Sequence, residues 1–124
     1  MKYEQYISNI NINLLGTFHM CHLIVPYLTK AKKGCVINIS SIGGLMGVDW
    51  QVDYCASKSG IIGMTRALAV EFAKDNIRCN FVCPGMIMTD MLRNIDKEKN
   101  DALAKTIPLG KIGNTEDRLS CIGF

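Results

Sequence analysis

No two cysteines in this 124-residue chain form a C-x-x-C pair, although six are present. That spacing disfavours a zinc ribbon or a dithiol redox motif, and Cys21, Cys35, Cys55, Cys79, Cys83 and Cys121 are expected as reduced, mostly buried thiols. His19, Cys21 and His22 crowd together in an apolar helical stretch with no further ligand group near by, so no metal is expected. Long apolar runs are missing as well. The longest, Phe18 to Leu28, is interrupted by His19, His22 and Pro26 and is too short to cross a bilayer. The opening Met1-Lys2-Tyr3-Glu4 lacks the basic-then-apolar order of a secretory leader, which makes the cytoplasm the expected location. Charge of one sign is also scarce: the formal net charge is +3, and the one basic cluster, Lys30, Lys32 and Lys33, falls where a helix should end. Cations there complement the helix dipole. No aromatic residues interleave with that cluster, so neither a nucleic acid nor a membrane is an expected partner.

What is present suits one compact α/β unit, because nearly half of the residues are apolar and a core can be buried. Tyr6, Ile7, Ile10, Leu14, Phe18, Cys21, Val25 and Leu28 recur at helical spacing, which predicts one long amphipathic helix from about Tyr3 to Leu28. Cys35 to Ile39 is a short apolar run typical of a buried parallel strand, ended by Ser40, Ser41, Ile42, Gly43 and Gly44. Asp53 is placed to cap a second helix running to about Lys74, closed by Asp75 and Asn76. Ile77 to Cys83 reads as a second strand, stopped by Pro84 and Gly85. Strand, helix and strand form a βαβ unit with an expected right-handed crossover. A Met-rich segment, Met86 to Met91, leads to a charged helix of about a dozen residues ending near Thr106, and Thr115, Glu116 and Asp117 announce another through a cap residue and acidic first-turn residues.

The chemistry-bearing residues gather around the first strand and the second helix. Tyr54 and Lys58 are four apart on a helix, so phenol and ammonium share a face. Ser41 lies just past the tip of a parallel strand, where α/β folds place their ligands. A phenol is a poor base at neutral pH, and a neighbouring ammonium favours its ionised form. The same phenol can donate a proton to a carbonyl oxygen that is becoming an alkoxide, while a serine hydroxyl bonds that oxygen. Hydride transfer is the matching half-reaction. Taken singly, each residue has a plain structural reading: Asn13 as a helix kink, Ser41 as a turn residue, Thr89 as a cap for the helix after it.

Asn13-Leu14, Ile39-Ser40-Ser41, Tyr54-Cys55-Ala56-Ser57-Lys58, Asn76-Ile77-Arg78-Cys79-Asn80 and Pro84-Gly85, in this order and at these intervals, resemble the short-chain dehydrogenase/reductase family. The likeness runs from about Tyr3 to Asp117 and includes Ile107-Pro108-Leu109-Gly110 and Gly113 to Asp117. Within the family it resembles the group of 3-oxoacyl-acyl-carrier-protein reductases and hydroxysteroid dehydrogenases. The resemblance implies an oxidoreductase interconverting carbonyl and alcohol, with NAD or NADP as cofactor and part of a Rossmann-like doubly wound parallel sheet as fold. It implies that Ser41 polarises the substrate, that Tyr54 is the acid/base, and that Lys58 favours the phenolate and holds the nicotinamide ribose. Asn13 would anchor a proton-relay water. Pro84 and Gly85 would shape the cofactor wall, Ile87 would bind the nicotinamide carboxamide through its backbone, and Thr89 would bond the cofactor near its carboxamide or pyrophosphate. Met86, Met88 and Met91 would either line the substrate pocket or pack ordinarily. The partners implied are a small carbonyl or alcohol substrate and a second copy of the chain, met through the long helices.

Departures from the family pattern stand at both ends. No Gly-x-x-x-Gly-x-Gly turn precedes the first helix, and the strands that carry the pyrophosphate turn and the NAD/NADP-selecting residue are missing, so cofactor preference is unreadable. The tail from Arg118 to Phe124 departs from the small, apolar helix expected there, as a shifted reading frame would explain. Residues 1–124 are thus expected to form a single incomplete domain, the catalytic half of the fold, inactive alone. The competing expectations are a noncatalytic fragment that associates with intact relatives and a nonfunctional product of a truncated gene.

Overall fold

The computed structural model describes residues 2–94 and 96–117; the anomalous tail at Arg118 to Phe124, with Cys121, lies outside them. Contacts divide the chain into two compact units, Met1–Cys83 and Pro84–Phe124. The first unit is α/β. Helix α1 (Tyr3–Asn9) runs through a π-helical turn (Ile10–Leu15) into α2 (Gly16–Ala31), followed by β1 (Gly34–Ile39), a 3-10 turn (Ile42–Gly44), α3 (Val52–Glu71), a second 3-10 turn (Ala73–Asp75) and β2 (Ile77–Val82). β1 and β2 pair in parallel, from Gly34 opposite Ile77 to Ile39 opposite Val82. Two strands joined through α3 make the expected βαβ unit.

The helix expected over Tyr3 to Leu28 therefore forms, reaches Ala31, and is interrupted by a wide turn that contains Asn13. π turns inside α-helices occur frequently at functional sites. The helix stops because Lys32 adopts a left-handed conformation, with φ 52°, and Lys32 also reaches Asp75 at 2.7 Å. Lys32 carbonyl accepts from Asn76 Nδ2 at 3.2 Å. The end of α2 and the turn before β2 are thereby fastened together.

One face of the sheet is covered. Asn38, buried in β1, accepts from Cys21 Sγ of α2 at 3.6 Å and donates to Thr65 Oγ1 of α3 at 2.9 Å, so both helices lie on that face. Ile61, Ile62, Ile77, Cys79, Cys21 and Val25 supply its apolar core. The alternate positions Cys35, Ile39, Arg78 and Asn80 are exposed, as the period of two along a strand requires. Cys21 and Val25 are the only α2 residues buried, and Phe18, expected in the apolar stripe, is exposed.

Asp53 is not the cap of α3. The helix begins at Val52 after Gln51, and the Asp53 carboxylate, inside the first turn, accepts from Asn9 Nδ2 of α1 at 2.6 Å and from Tyr54 N at 2.9 Å. A tertiary partner thus takes over the carboxylate that local rules would give to capping.

In the second unit, α4 (Asp90–Arg93) and α5 (Lys97–Thr106) follow an irregular stretch in which Ile87 bridges Gly113 in parallel. Asn100 Nδ2 donates to Leu92 carbonyl at 3.0 Å and ties α5 to α4. The helical residues 115–117 are capped by Asn114, one position earlier than the sequence suggests. Its Oδ1 accepts from Asp117 N at 2.8 Å while Asp117 Oδ2 accepts from Asn114 N at 2.9 Å, a reciprocal cap.

Candidate active site

The site grows from the tip of β1 and the first two turns of α3. Ser41, buried and extended, follows the strand, and its Oγ accepts from Gly43 N at 3.1 Å. That bond occupies one acceptor position of the hydroxyl and leaves its hydrogen to be donated elsewhere. A methyl group added at Gly43 would lie 3.2 Å from Tyr54 Cε1 and 3.6 Å from Ser41 Oγ, so the Tyr54 ring and the serine flank one point. Lys58, one helical turn after Tyr54, holds its Nζ 5.8 Å from the phenol ring centroid and donates to Ile39 carbonyl at 3.2 Å.

Asn13 joins this cluster indirectly. Its Nδ2 donates to Ser57 Oγ at 3.2 Å, and Ser57 Oγ donates to Tyr54 carbonyl at 2.8 Å. The Asn13 carbonyl, inside the wide turn, accepts from Thr17 Oγ1 at 2.6 Å, and a carbonyl keeps a second lone pair. Ser41, Tyr54, Lys58 and Asn13 are thus brought together. Pro84, Gly85, Ile87 and Thr89 lie in the second unit, where Met86 carbonyl accepts from Gly113 N at 3.1 Å and Met88 N donates to Gly113 carbonyl at 2.8 Å. Thr89 precedes α4 without a side-chain cap bond.

Two supports escaped sequence reasoning. Ser40 Oγ donates to Lys58 carbonyl at 2.7 Å, and Ser57 links Asn13 to α3 from a fully buried position. A signal existed for Ser57: it stands three residues after Tyr54 and four before Ile61, on the helix face that goes inside, where a hydroxyl has to find a partner. Gly44 allows the loop to touch the helix. A Cβ there would stand 2.7 Å from Ser40 Oγ and 2.8 Å from the Lys58 backbone carbon.

The Asp53 carboxyl, at the base of the site, is held below the usual carboxylate range, first by the Asn9 amide and then by the Tyr54 backbone N–H. Both bonds favour the ionised form. Burial pushes the Cys79 thiol up, and the neighbouring Cys21 and Cys35 thiols add to that effect. Among the described residues no group of three or more His, Cys, Asp or Glu could hold a metal ion, and no helix is long and apolar enough to cross a membrane.

Comparison with known proteins extends this geometry. The family model described as short chain dehydrogenase matches residues 1–100. A 3-oxoacyl-[acyl-carrier-protein] reductase of Thermotoga maritima is 40% identical over 124 residues, which is all of this chain and 50% of the relative. A 3-oxoacyl-[acyl-carrier-protein] reductase of Bos taurus is 41% identical over 114 residues, 92% of this chain and 47% of its own. Among solved structures, ElxO with NADP bound superposes with a TM-score of 0.93 at 35% identity, covering 98% of this chain and 50% of that one. The chain spans about half the length of the relatives it matches.

Proposed function

Since the chain belongs to the short-chain dehydrogenase family, we propose that it carries the carbonyl-handling half of an NAD(P)-dependent oxidoreductase. The observation that carries this reading is the meeting of Ser41 Oγ, the Tyr54 phenol and Lys58 Nζ at the tip of β1. ElxO, a close structural match, holds NADP, and the residues present here fit the ribose and nicotinamide end of such a cofactor. A phenol and an ammonium side by side suit the two hydroxyls of a ribose. No Gly-rich turn at a helix N-terminus is found among the described residues to take the pyrophosphate.

A nicotinamide held there would supply or accept the hydride at the carbonyl carbon. Tyr54 O–H gives its proton to the carbonyl oxygen in reduction and recovers it in oxidation. Ser41, its oxygen already engaged by Gly43 N–H, donates its hydrogen to the same oxygen and stabilises the charge that develops there. Lys58, fixed on the Ile39 carbonyl, sets its ammonium beside the phenol. Asn13 offers the second lone pair of its carbonyl to a water that returns the proton. Pro84, Gly85, Ile87 and Thr89, which lie in the second unit, are the residues that by resemblance to the family would contact a nicotinamide. The relatives' name makes a 3-oxoacyl thioester the first substrate to offer.

The test joins this chain to the preceding and following segments of the Thermotoga relative and follows NADPH oxidation. Tyr54→Phe is expected to lower kcat by ~10²–10⁴-fold and Ser41→Ala by no more than that. Near-normal turnover of Tyr54→Phe would refute the assignment.

A second copy of the chain is the partner that the α2 surface favours. Met20, Leu23 and Tyr27 are each more than 60% exposed, and a groove of about 640 Å³ lined by Phe18, Val25, Leu68 and Phe72 lies between α2 and α3. Apolar surface of this kind marks interaction sites. Light scattering after size-exclusion chromatography is expected to show an oligomer, and a monodisperse monomer at micromolar concentration would refute it. Free thiols suit the reducing cytoplasm.

A further inference from the structure

Tyr54 is gripped by its backbone at both ends. Its N–H donates to Asp53 Oδ1 at 2.9 Å, and its carbonyl accepts from Ser57 Oγ at 2.8 Å. Local bonds of this kind are ordinary for aspartate and serine. Here each of the two side chains also holds an asparagine that stands 44 positions earlier: Asp53 Oδ2 accepts from Asn9 Nδ2 at 2.6 Å, and Ser57 Oγ accepts from Asn13 Nδ2 at 3.2 Å. Asn9 and Asn13 are four apart, as are Asp53 and Ser57. Two straps, one turn apart, thus join the leading helix to α3 with Tyr54 between them.

The strap at Asp53 supplies what α3 itself does not. A helix leaves its earliest N–H groups without an internal partner, and backbone bonding in α3 opens with Cys55 N donating to Gln51 carbonyl at 2.8 Å. Tyr54 N–H, one residue ahead, has the Asp53 carboxylate as its acceptor. Helix ends fray, so a proton donor in the first turn needs such a hold. The carboxylate is buried, and each of its oxygens serves one donor, Oδ2 the Asn9 amide and Oδ1 the Tyr54 N–H. Without Asn9 it is free to turn away from Tyr54. α1 buries none of its own residues, so its hold on α3 at this point is polar and directional rather than apolar.

We propose that Asp53, held by Asn9, is a positioning residue for Tyr54: the Asn9 amide fixes the carboxylate, and the carboxylate fixes the peptide from which the phenol projects. The inference rests on the oxidoreductase reading for the proton that the phenol carries. A proton donor has to lie within hydrogen-bond reach of the reacting oxygen, and a misplacement of about 1 Å costs on the order of 10²-fold in rate. Asn9 touches no reacting group. It acts through Asp53, from a different helix.

Amide hydrogen exchange in the full chain, followed residue by residue by NMR, reads the strap directly. Asn9→Ala is expected to speed exchange at Tyr54 N–H roughly tenfold and to leave the amides of Ile61 and Ile62, buried further along α3, unchanged. The double variant Asn9→Asp with Asp53→Asn exchanges the two roles, because the amide now on α3 donates to the carboxylate now on α1 and keeps its oxygen for Tyr54 N–H. Protection of Tyr54 is expected to return. In the chain joined to the Thermotoga segments, Asn9→Ala is expected to lower kcat about tenfold with KM unchanged, as loss of an interaction made in the transition state requires, and the double variant to recover most of it. Protection of Tyr54 that survives Asn9→Ala overturns the proposal. So does a rise in exchange shared equally by Tyr54, Ile61 and Ile62, whether from unfolding or from general loosening, since the bond would then prop the fold as a whole. An unchanged kcat in Asn9→Ala, with Tyr54→Phe inactive, overturns it as well. Normal turnover in Tyr54→Phe refutes the oxidoreductase reading instead, and exchange at Tyr54 then decides the strap alone.

Discussion

α2 and α3 cover the same face of the sheet, yet they bury different kinds of side chain. α3 takes Asp53, Ser57 and Thr65 inside together with Ile61 and Ile62, whereas α2 buries Cys21 and Val25 and leaves Phe18, Met20, Leu23, Ile24 and Tyr27 exposed. The buried polar groups of α3 all have partners: Asp53 with Asn9, Ser57 with Asn13 and the Tyr54 carbonyl, Thr65 with Asn38 and the Ile61 carbonyl. Hydrogen bonds are directional and apolar burial is not. α3 is therefore fixed in rotation and register, as a helix presenting Tyr54 and Lys58 has to be. α2 has its apolar surface turned outward, where any complementary surface can meet it.

Substitution at glycine offers the sharpest way to break this contrast. Gly44→Ala sets a Cβ against the Lys58 backbone of α3, which cannot move aside, while at Gly34 the nearest atoms belong to the Leu28 side chain of α2. Gly44→Ala is expected to cost about 2–3 kcal/mol and Gly34→Ala less, as overpacking against a side chain is partly relieved by rotation. Thermal unfolding of the two variants compares them directly, and equal losses would erase the distinction.

Thr65→Val keeps the shape of the side chain and leaves the buried Asn38 amide without its acceptor, at an expected cost of about 1–3 kcal/mol in urea unfolding. On the outward face of α2, Leu23→Lys or Tyr27→Lys is expected to change monomer stability by no more than about 0.5 kcal/mol. Both substitutions are expected to abolish concentration-dependent association in light scattering. A large stability loss from either would show that α2 depends on its outer face as α3 does on its inner one.

The smallest expected effect is on pH dependence. Because the Asp53 carboxyl is held below its ordinary value in the folded chain, its contribution is present above the unfolded carboxylate range and is lost as pH falls through the lowered value. Asp53→Asn is expected to shallow the loss of stability below about pH 4, the unfolded carboxylate range, while leaving the curve flat above neutrality. Unfolding midpoints measured from pH 2 to 7 would show it, and an unaltered acid limb would remove Asp53 from the network.

Much of this architecture was legible in the sequence because it rests on local periodicity. The runs Cys35 to Ile39 and Ile77 to Cys83 became β1 and β2 within one residue at their ends, and the i, i+4 spacing of Tyr54 and Lys58 survived because a helix preserves it. The misreadings share a physical cause, namely competition from distant partners. Asp53 looked like a cap, but Asn9 lies 44 positions away and no local rule contains it. The Ser57 bridge to Asn13 is hidden for the same reason. Phe18 read as part of the buried stripe because an amphipathic pattern does not say whether its cover is the same chain or another.

The wide turn at Ile10–Leu15 amounts to one extra residue wound into a continuous helix. Each residue of an α-helix advances the side chains by about 100° around the axis, so the surplus shifts the phase between α1 and α2. Removing one residue from that turn, for example Asn11 or Ile12, would restore regular winding and rotate α1 by nearly a third of a circle relative to α2. Asn9 would then no longer face Asp53, although every side chain of the site would still be present in the sequence. The turn thus works as a phase adjuster, letting one helix pack its two ends on different neighbours.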